Sequence, residues 1–267
     1  MSRLFDLINS VGPAARSDDL PAVPVERAEV PLETRLLFHT DPRSPSADRY
    51  RLLRMRLREL GKTGKLKTVL VTSPLPHDGK STVCLNLASA LAEGGRKKVL
   101  LIEADLHRPA LTDRLGLRPW KGLAECLEGA LAPLSAVRKV EPLNWFLLPA
   151  GGSRTNASEL LQTGALAGMV SELSAEFDWI ILDSPPVLAL SDAPALTRCA
   201  DATLLVARAD RTVREAIDEA IEIIGRQRVA GIVLNGVTSL DRTYSKYYGS
   251  SKSYYSGNNS KAEHNAS

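Results

Sequence analysis

Six short apolar segments, separated by stretches with helical patterns, constrain the fold of this chain more than any other feature. Each segment has strand length and carries apolar residues at consecutive positions, so both of its faces must be buried. Strands of this kind that alternate with helices predict an α/β fold, with a mostly parallel central sheet and helices on both faces. The predicted strands are Thr68–Ser73, Lys98–Glu103, Trp145–Leu148, Trp179–Asp183, Thr203–Ala207 and Gly231–Asn235.

Helical patterns occupy the intervals between these strands and one segment before them. Tyr50, Leu53, Leu57 and Leu60 form one apolar stripe, which predicts a helix over Ala47–Leu60. The other predicted helices are Gly79–Glu93, Leu111–Arg114, Gly122–Leu127, Ala157–Phe177, Asp192–Cys199 and Val213–Arg226. We expect a flexible segment over residues 1–45, with a short helix at Arg3–Val11, a globular domain over 46–240 and a disordered tail over 241–267.

Composition excludes several classes of protein. Hydrophobic residues make up 44% of the chain and aromatic residues only 5%, so the core is aliphatic. A net charge of +3 is too small to argue for a nucleic-acid partner. No apolar run approaches the roughly 18 residues that span a bilayer, and we expect a cytoplasmic protein. The three cysteines have no paired spacing, which favours reduced thiols.

A phosphate-binding loop follows the first strand and opens the first long helix. It runs from Pro74 to Thr82 and ends in Gly-Lys-Ser-Thr. Backbone N–H groups at a helix start attract phosphate, Lys80 can reach the β- and γ-phosphates, and Ser81 can bind Mg²⁺. The predicted nucleotide-binding residues are Pro76, His77, Asp78, Gly79, Lys80, Ser81 and Thr82. The alternative is an ordinary turn between a strand and a helix.

Three acids lie at the ends of two other strands. Glu103 and Asp105 follow one strand, and Asp183 ends another. Ligands of an open parallel sheet bind beyond the carboxyl ends of its strands, so these acids should meet near Lys80. Asp105 and Asp183, with Ser81, are the predicted metal ligands, and Glu103 or Asp105 is the predicted general base. The alternative is that each acid caps a helix.

Tyrosines are concentrated at the C-terminus. Five of the six occur after residue 243, among Ser, Gly, Lys and Asn, where they have no apolar neighbours. Tyrosine normally contributes its ring to a core, so these rings are predicted to be presented to another molecule. They are Tyr244, Tyr247, Tyr248, Tyr254 and Tyr255. Beside a nucleotide site they suggest phosphate acceptors, although a low-complexity aggregating end has the same composition.

These motifs resemble those of the bacterial tyrosine kinases of capsule and exopolysaccharide synthesis. The matching segments are Pro76–Thr82, Glu103–Pro109, Ile181–Pro186, Leu148–Gly152, Ser158–Leu161 and Val233–Val237. The resemblance as a whole covers the chain from about Asp48 to the C-terminus. It implies the broader fold of septum-site and partition ATPases. Those proteins carry a second lysine early in the loop, where this chain has Leu75. The chain departs from the kinase pattern at His77 (for Gly), Glu103 (for Asp) and His107 (for Arg).

The resemblance extends to the predicted helix that precedes the phosphate loop. The oligomerisation motif of the family, Glu-x-x-Arg-x-x-Arg, corresponds to Asp48, Arg51 and Arg54. A spacing of three places these side chains near one helical face, where they can pair with a neighbouring subunit. From the residues alone, a solvated charged face is the alternative.

The resemblance implies an autokinase that uses ATP and Mg²⁺ to phosphorylate its own tyrosine cluster, between subunits of a ring. It also implies a membrane polysaccharide co-polymerase as a separate activating partner, which recruits the kinase to the inner face of the membrane. Asn235 is a candidate adenine contact on strand-end position and resemblance. Asp192 is either a γ-phosphate sensor or a helix cap, and Thr212 is a candidate cap.

Two other classes of function remain open from the sequence. One is a partition-like ATPase that acts as a switch without tyrosine chemistry. The other is a scaffold that binds ATP and regulates polymer length without turnover. ATP turnover without labelled tyrosine would favour the first, and ATP binding without turnover would favour the second.

Overall fold

The computed structural model describes residues 23–30, 34–62 and 66–237, and the sections that follow concern these residues. Eight strands form one sheet: β1 Val25–Arg27, β2 Thr68–Thr72, β3 Val99–Glu103, β4 Arg138–Glu141, β5 Trp145–Leu148, β6 Trp179–Asp183, β7 Ala202–Arg208 and β8 Val229–Asn235. Their order is β1-β4-β5-β3-β6-β2-β7-β8. All neighbours are parallel except β4 and β5, which are antiparallel. The predicted α/β fold is therefore confirmed.

Helices cover both faces of this sheet. They are α1 Leu37–Thr40, α2 Pro45–Lys62, α3 Lys80–Ala92, α4 Leu111–Arg114, α5 Leu123–Leu127, α6 Pro133–Ala136, α7 Ala157–Gln162, α8 Ala165–Glu176, α9 Ala193–Arg198 and α10 Arg214–Ile224, with a 3₁₀ turn at Arg226–Arg228. On one face α2 and α3 pack against β2, β3, β6 and β7. Helices α5, α7, α8 and α9 pack on the other face, and α10 lies there against β7. Successive strand residues point to opposite faces, which explains the wholly apolar strands.

Two strands and two short helices were missed by the sequence reading. Strands β1 and β4 are three and four residues long, and their sequences VER and RKVE are mostly polar. Pairing of β1 with β4, and of β4 with β5, creates them at the edge of the sheet, where polar side chains face water. Helices α1 and α6 are single turns of four residues. None of these four elements has a hydrophobic periodicity long enough to predict it from the sequence.

The expected flexible segment over residues 1–45 contains ordered structure in its described part. Strand β1 belongs to the sheet, and Leu36 is fully buried against the core beneath α2 and α3. This part of the segment is anchored because it completes the sheet edge and covers apolar surface. The predicted helix at Arg3–Val11 lies outside the described residues.

The predicted long helix Ala157–Phe177 is two helices. The break falls at Thr163, whose backbone is extended (φ −64°, ψ 141°) and whose hydroxyl donates to the Leu160 carbonyl at 2.8 Å. A β-branched residue whose hydroxyl bonds the carbonyl three residues earlier, followed by Gly164, competes with helix continuation. The apolar periodicity is the same on both sides of the break, so periodicity alone does not reveal it.

No helix within the described residues is both long enough and apolar enough to span a bilayer. All three cysteines are free thiols, and Cys84 is buried in α3. Tyr50, the tyrosine in the body of the chain, packs against the core from α2.

We predict that Leu57 anchors α2 to the domain. Its side chain is 1% exposed, so Leu57→Ala should lower the free energy of unfolding by about 2–5 kcal/mol. Leu52→Ala, a change of the same size at a 43% exposed position of α2, should cost less than about 0.5 kcal/mol. Urea denaturation of both variants measures the difference. Equal losses would contradict the packing described for α2.

Candidate active site

The phosphate loop joins the centre of the sheet to a long helix. Strand β2 ends at Thr72, and α3 begins at Lys80 after Gly79, whose φ is +98°. A side chain at Gly79 would overlap the Asn235 amide, which donates from Nδ2 to the Asp78 carbonyl at 2.9 Å. Only glycine fits between the loop and the end of β8. Asn235, predicted as an adenine contact, is here a support of the loop.

Asp78 does not face the space where phosphate would bind. Its side chain is fully buried and accepts hydrogen bonds from Leu75 N at 3.1 Å and from Thr212 Oγ1 at 2.8 Å. Thr212 in turn accepts from the Arg208 amide at 2.8 Å. The negative charge of Asp78 therefore faces the protein interior and not the phosphate-binding side of the loop. Thr212 is not the predicted helix cap, since Val213 holds the N-cap position of α10.

His77 adopts a left-handed backbone, with φ at +69°. The resemblance puts glycine at this position, and the conformation explains why, because a side chain there costs on the order of 1–2 kcal/mol. The imidazole is exposed, and Arg208 Nη1 lies 3.4 Å from the His77 carbonyl. Another cation reaches the loop from α4: Arg114 Nη1 donates to Thr82 Oγ1 at 3.1 Å. The sequence reading did not identify Arg114.

Asp183 meets the phosphate loop as predicted. It ends β6 and is 3% exposed, and its neighbours across the strands are Glu103 and Val71. Burial raises the pKa of Asp183 to about 6, although a Ser81 hydrogen bond and the charge of Lys80 oppose the shift. Oδ1 of Asp183 is buried and has no hydrogen-bond partner among the described residues. A cation beside Ser81 would satisfy it.

Both carboxylate oxygens of Glu103 accept hydrogen bonds from backbone N–H groups. Its Oε1 accepts from Ala110 N at 2.5 Å and from Leu111 N at 2.6 Å, and its Oε2 accepts from Ala150 N at 3.2 Å. The side chain is 1% exposed, and this burial raises its pKa. The predicted proton acceptor is therefore a carboxylate that holds the start of α4 and the chain after β5. The methylene by which Glu exceeds Asp extends its reach to these groups.

Asp105 is the more accessible of the two predicted bases. It is partly exposed, and Oδ1 accepts a hydrogen bond from Arg108 N at 3.0 Å, with a further backbone hydrogen bond from His107. Burial raises the pKa of Asp105, while the charges of Lys80 and His107 act in the opposite direction. Asp105 therefore lies close enough to Lys80 to sense its charge, and its partly exposed carboxylate can be reached by a ligand.

His107, which replaces the arginine of the family pattern, joins three elements. Its Nε2 lies 2.9 Å from Asp192 Oδ2 and 3.2 Å from Ser158 Oγ. Asp192 stands at the N-cap position of α9 without making a side-chain cap, and it is fully buried. The sequence predicts either a γ-phosphate sensor or a helix cap at Asp192 and does not indicate the pair with His107. A separation of 85 residues gives no local signal for such a pair.

The residues of the predicted oligomerisation motif make contacts within the chain. Arg51 Nη1 pairs with Asp48 Oδ1 at 2.7 Å, and Arg51 also lies over the Phe38 ring. Arg54 Nη1 donates to the Ala90 carbonyl at 3.1 Å. Asp48 and Arg51 remain partly exposed, whereas Arg54 fastens α2 to α3. The five C-terminal tyrosines lie outside the described residues.

The residues present fit a nucleotide with Mg²⁺. No group of three or more His, Cys, Asp or Glu side chains in the described ranges is arranged to hold a metal ion by itself. Mg²⁺ in nucleotide sites usually takes one or two protein ligands and completes its shell with water and phosphate oxygens. The unpaired Asp183 oxygen, the Ser81 hydroxyl and the open side of Asp105 offer that chemistry, and Lys80 offers charge to a phosphate.

A strand, a Gly-Lys-Ser-Thr loop and a helix with acids at two neighbouring strand ends define a P-loop nucleotide-binding protein. Comparisons with known proteins agree. Residues 78–229 match the family described as "AAA domain". The chain is 30% identical to tyrosine-protein kinase YwqD of Bacillus subtilis, over 84% of this chain and 94% of YwqD. It therefore belongs to the family of bacterial tyrosine-protein kinases, as the sequence predicted.

Two further similarities extend this result. The succinoglycan biosynthesis transport protein ExoP of Rhizobium meliloti is 29% identical over 78% of this chain, but the match covers only 29% of ExoP. The kinase domain of the Escherichia coli tyrosine kinase ETK superposes with a TM-score of 0.73 at 25% identity, covering 80% of this chain and 89% of that structure. The chain thus spans nearly all of one relative and less than a third of another.

We predict that Asp183 makes the nucleotide-free protein less stable as pH rises. The native pKa of about 6 exceeds the unfolded value of about 3.9, so the stability associated with protonated Asp183 is present below pH 4 and is lost as pH rises through 6. The loss amounts to about 3 kcal/mol for a shift of about two units. Asp183→Asn keeps an oxygen for Ser81 but does not ionise.

Urea denaturation of wild type and Asp183→Asn at pH 4 and pH 7.5 tests this prediction. The variant should gain stability relative to wild type between the two values. Thr203→Val, at a buried hydroxyl on β7 away from the acids, is a control that should show no such pH-dependent gain. A difference between Asp183→Asn and wild type that is the same at both pH values would contradict the electrostatic account.

Proposed function

We propose that the chain is an ATP-dependent protein-tyrosine autokinase that phosphorylates its own C-terminal tyrosine cluster. The observation that carries the proposal is the meeting of Lys80, Asp105 and Asp183 at the ends of three adjacent parallel strands, in a chain of the tyrosine-kinase family. The ends of β2, β3 and β6 form one small region because these strands are neighbours. Phosphoryl transfer needs little more than positioning and charge stabilisation at such a place.

ATP is proposed to bind with its phosphates along Gly79–Thr82, at the N-terminus of α3. The backbone N–H groups there favour anions, and Lys80 stabilises charge on the transferred phosphoryl group. Mg²⁺, when bound, neutralises the phosphate oxygens, and Ser81, Asp105 and Asp183 are the residues that would hold it. Pro76, His77 and Asp78 shape the loop, and Asn235 keeps its proposed place near the adenine as well as its bond to the loop.

Asp105 is the proposed proton acceptor for the tyrosine hydroxyl. A general base must reach the proton that it removes, and Asp105 is partly exposed on the side that its backbone donors leave open. Glu103 is buried with three backbone donors, which supports a positioning role. In this proposal Glu103 fixes the segment that carries Asp105, and Asp105 contacts the substrate.

The proposed substrate is the tail of a neighbouring subunit in a ring, at Tyr244, Tyr247, Tyr248, Tyr254 and Tyr255. Each phosphate adds about −1.5 to −2 charge, which would turn a weakly cationic tail anionic and repel it from the acidic site. Asp48 and Arg51 are proposed to face the neighbouring subunit from α2, and Arg54 holds α2 in place from behind.

The proposed role in the cell is regulation of exopolysaccharide polymerisation, export and chain length. Similarity to a succinoglycan biosynthesis transport protein supports this role. The proposed activator is a separate membrane polysaccharide co-polymerase, which recruits this cytoplasmic kinase to the inner face of the cell membrane. A partition-like ATPase and an ATP-binding regulatory scaffold are the alternatives that the first experiment below distinguishes.

Purified protein incubated with ATP and Mg²⁺ should acquire phosphotyrosine in its tail. Lys80→Met should lower the rate about 10²–10³-fold, since it removes the charge that stabilises the transferred group. Mass spectrometry of the tail and ADP release are measured together, with and without the cytosolic segment of a candidate co-polymerase. Equal labelling of Lys80→Met would contradict the kinase proposal. ADP release without labelling would identify an ATPase switch, and binding without ADP release a scaffold.

The two acids of β3 should respond differently to neutralisation. Asp105→Asn should slow tail phosphorylation by about 10²–10⁴-fold, as expected for loss of a proton acceptor. Glu103→Gln keeps one oxygen for the backbone donors and should lose stability, by about 1–3 kcal/mol, more than activity. Rates measured well below the melting temperature of each variant separate the two effects. If Glu103→Gln stays folded but is the slower enzyme, the roles are reversed.

A further inference from the structure

Arg114 of α4 brings a cation to the phosphate loop from another part of the chain. Its Nη1 donates to Thr82 Oγ1 at 3.1 Å, although 32 residues separate the two side chains. The guanidinium is exposed and forms no ion pair with any acid in the described ranges. An arginine without a carboxylate partner keeps its charge and four further N–H groups available for another anion.

Helix α4 is anchored in a way that keeps Arg114 beside the loop. Glu103 accepts hydrogen bonds from Ala110 N and Leu111 N, at 2.5 and 2.6 Å, where the helix begins. Leu111 and Leu115, on either side of Arg114 in the chain, are fully buried in the core beneath α2 and α3. A side chain carried by an anchored turn has less freedom to lose when it binds a ligand, which favours binding.

Thr82 lies at the end of the phosphate loop that enters α3. The first helical hydrogen bond runs from Val83 N to Gly79 O at 3.0 Å. The three N–H groups before this bond, including that of Thr82, precede the helical ladder and can meet a phosphate group. In such loops the lysine reaches the β- and γ-phosphates and the next hydroxyl binds the metal, while backbone N–H groups surround the α- and β-phosphates. The α-phosphate is therefore the group expected next to Thr82.

The bond from Arg114 also sets the direction of the Thr82 hydroxyl. Thr82 Oγ1 accepts from the guanidinium, so its own proton is free to be donated to a phosphate oxygen. A phosphate oxygen that accepted this proton would lie next to the guanidinium. Guanidinium and phosphate form charge-assisted hydrogen bonds, which are stronger than neutral ones and are often paired.

We propose that Arg114 binds the α-phosphate of the nucleotide, together with Thr82. The inference rests on the proposed ATP site and adds one ligand-binding residue to it. Arg114 stabilises bound ATP and bound ADP alike, because both carry an α-phosphate. Lys80, in contrast, acts on the phosphates that take part in the transfer.

Calorimetric titration of the full-length chain with ADP and with a non-hydrolysable ATP analogue, each with Mg²⁺, tests the proposal. Arg114→Gln should raise both dissociation constants by a similar factor, about 5- to 20-fold, since it removes a charge-assisted hydrogen bond. Raising the salt concentration should narrow the gap to wild type, because the contact is exposed. A loss confined to the ATP analogue would place Arg114 at the γ-phosphate and overturn the assignment.

Arg96→Gln is the matched control. It makes the same change at a 78% exposed arginine that follows the C-terminal end of α3, the end away from the phosphate loop. This variant should bind both nucleotides like wild type. A similar loss in Arg96→Gln would show that net charge alone is responsible and would overturn the proposal.

A second pair of variants distinguishes direct contact from an effect through Thr82. Thr82→Val removes the hydroxyl and keeps the branched shape of the side chain. In the Thr82→Val background, Arg114→Gln should still weaken ADP binding several-fold, because the guanidinium contacts the phosphate itself. If Arg114→Gln has no effect there, Arg114 only orients Thr82 and the direct contact is wrong. Melting temperatures without nucleotide, within a few degrees of wild type, show that the variants are folded.

The failure of this inference and that of the proposed function give different results. If wild type and Arg114→Gln bind ADP equally, this inference is wrong and the kinase proposal stands. If the predicted losses of affinity occur but wild type acquires no phosphotyrosine, the kinase proposal is wrong and the role of Arg114 stands. Wild type that binds neither nucleotide would overturn both, since they share the ATP site.

Discussion

Burial of the Asp183 carboxylate at the end of β6 costs the folded chain free energy, and the contacts of the surrounding residues determine how much of that cost remains. Ser81 and Lys80 offset part of it, but one oxygen remains without a hydrogen bond in a region closed to water. An unpaired buried oxygen is expensive in a low-dielectric interior, and a cation is the ligand that relieves it most. The same arrangement that lowers the stability of the nucleotide-free chain would therefore favour a bound cation such as the proposed Mg²⁺.

The phosphate loop is held by contacts that leave its backbone free to meet a ligand. Asp78 is turned inward to Leu75 and Thr212, and Asn235 supports the opposite side of the loop. These bonds come from β8 and from the connection between β7 and α10, so the loop is fixed from the sheet itself. The left-handed conformation of His77 is retained because these contacts hold the chain on both sides of it.

Much of the fold was predictable because burial on two faces leaves a simple pattern. Strand β5 and strand β6, which is apolar up to its terminal Asp183, were predicted with the bounds that the structure shows, and the acids that end β3 and β6 lie side by side in the sheet. Strands β1 and β4 form because they pair with neighbouring strands, and their own residues have no comparable apolar pattern. The break at Thr163 coincides with a local hydrogen bond from its hydroxyl to the Leu160 carbonyl, and such a bond has no hydrophobic pattern.

Several predicted site residues make contacts that the sequence does not predict. Sequence shows that Glu103 ends a strand, but the three backbone N–H groups that occupy it come from residues 110, 111 and 150, which only the tertiary structure brings near. The pair of His107 with Asp192 arises in the same way. Asn235 has a further consequence. Asn235 is also the last residue of β8, so a shift at the end of this strand would move an amide that contacts the phosphate loop.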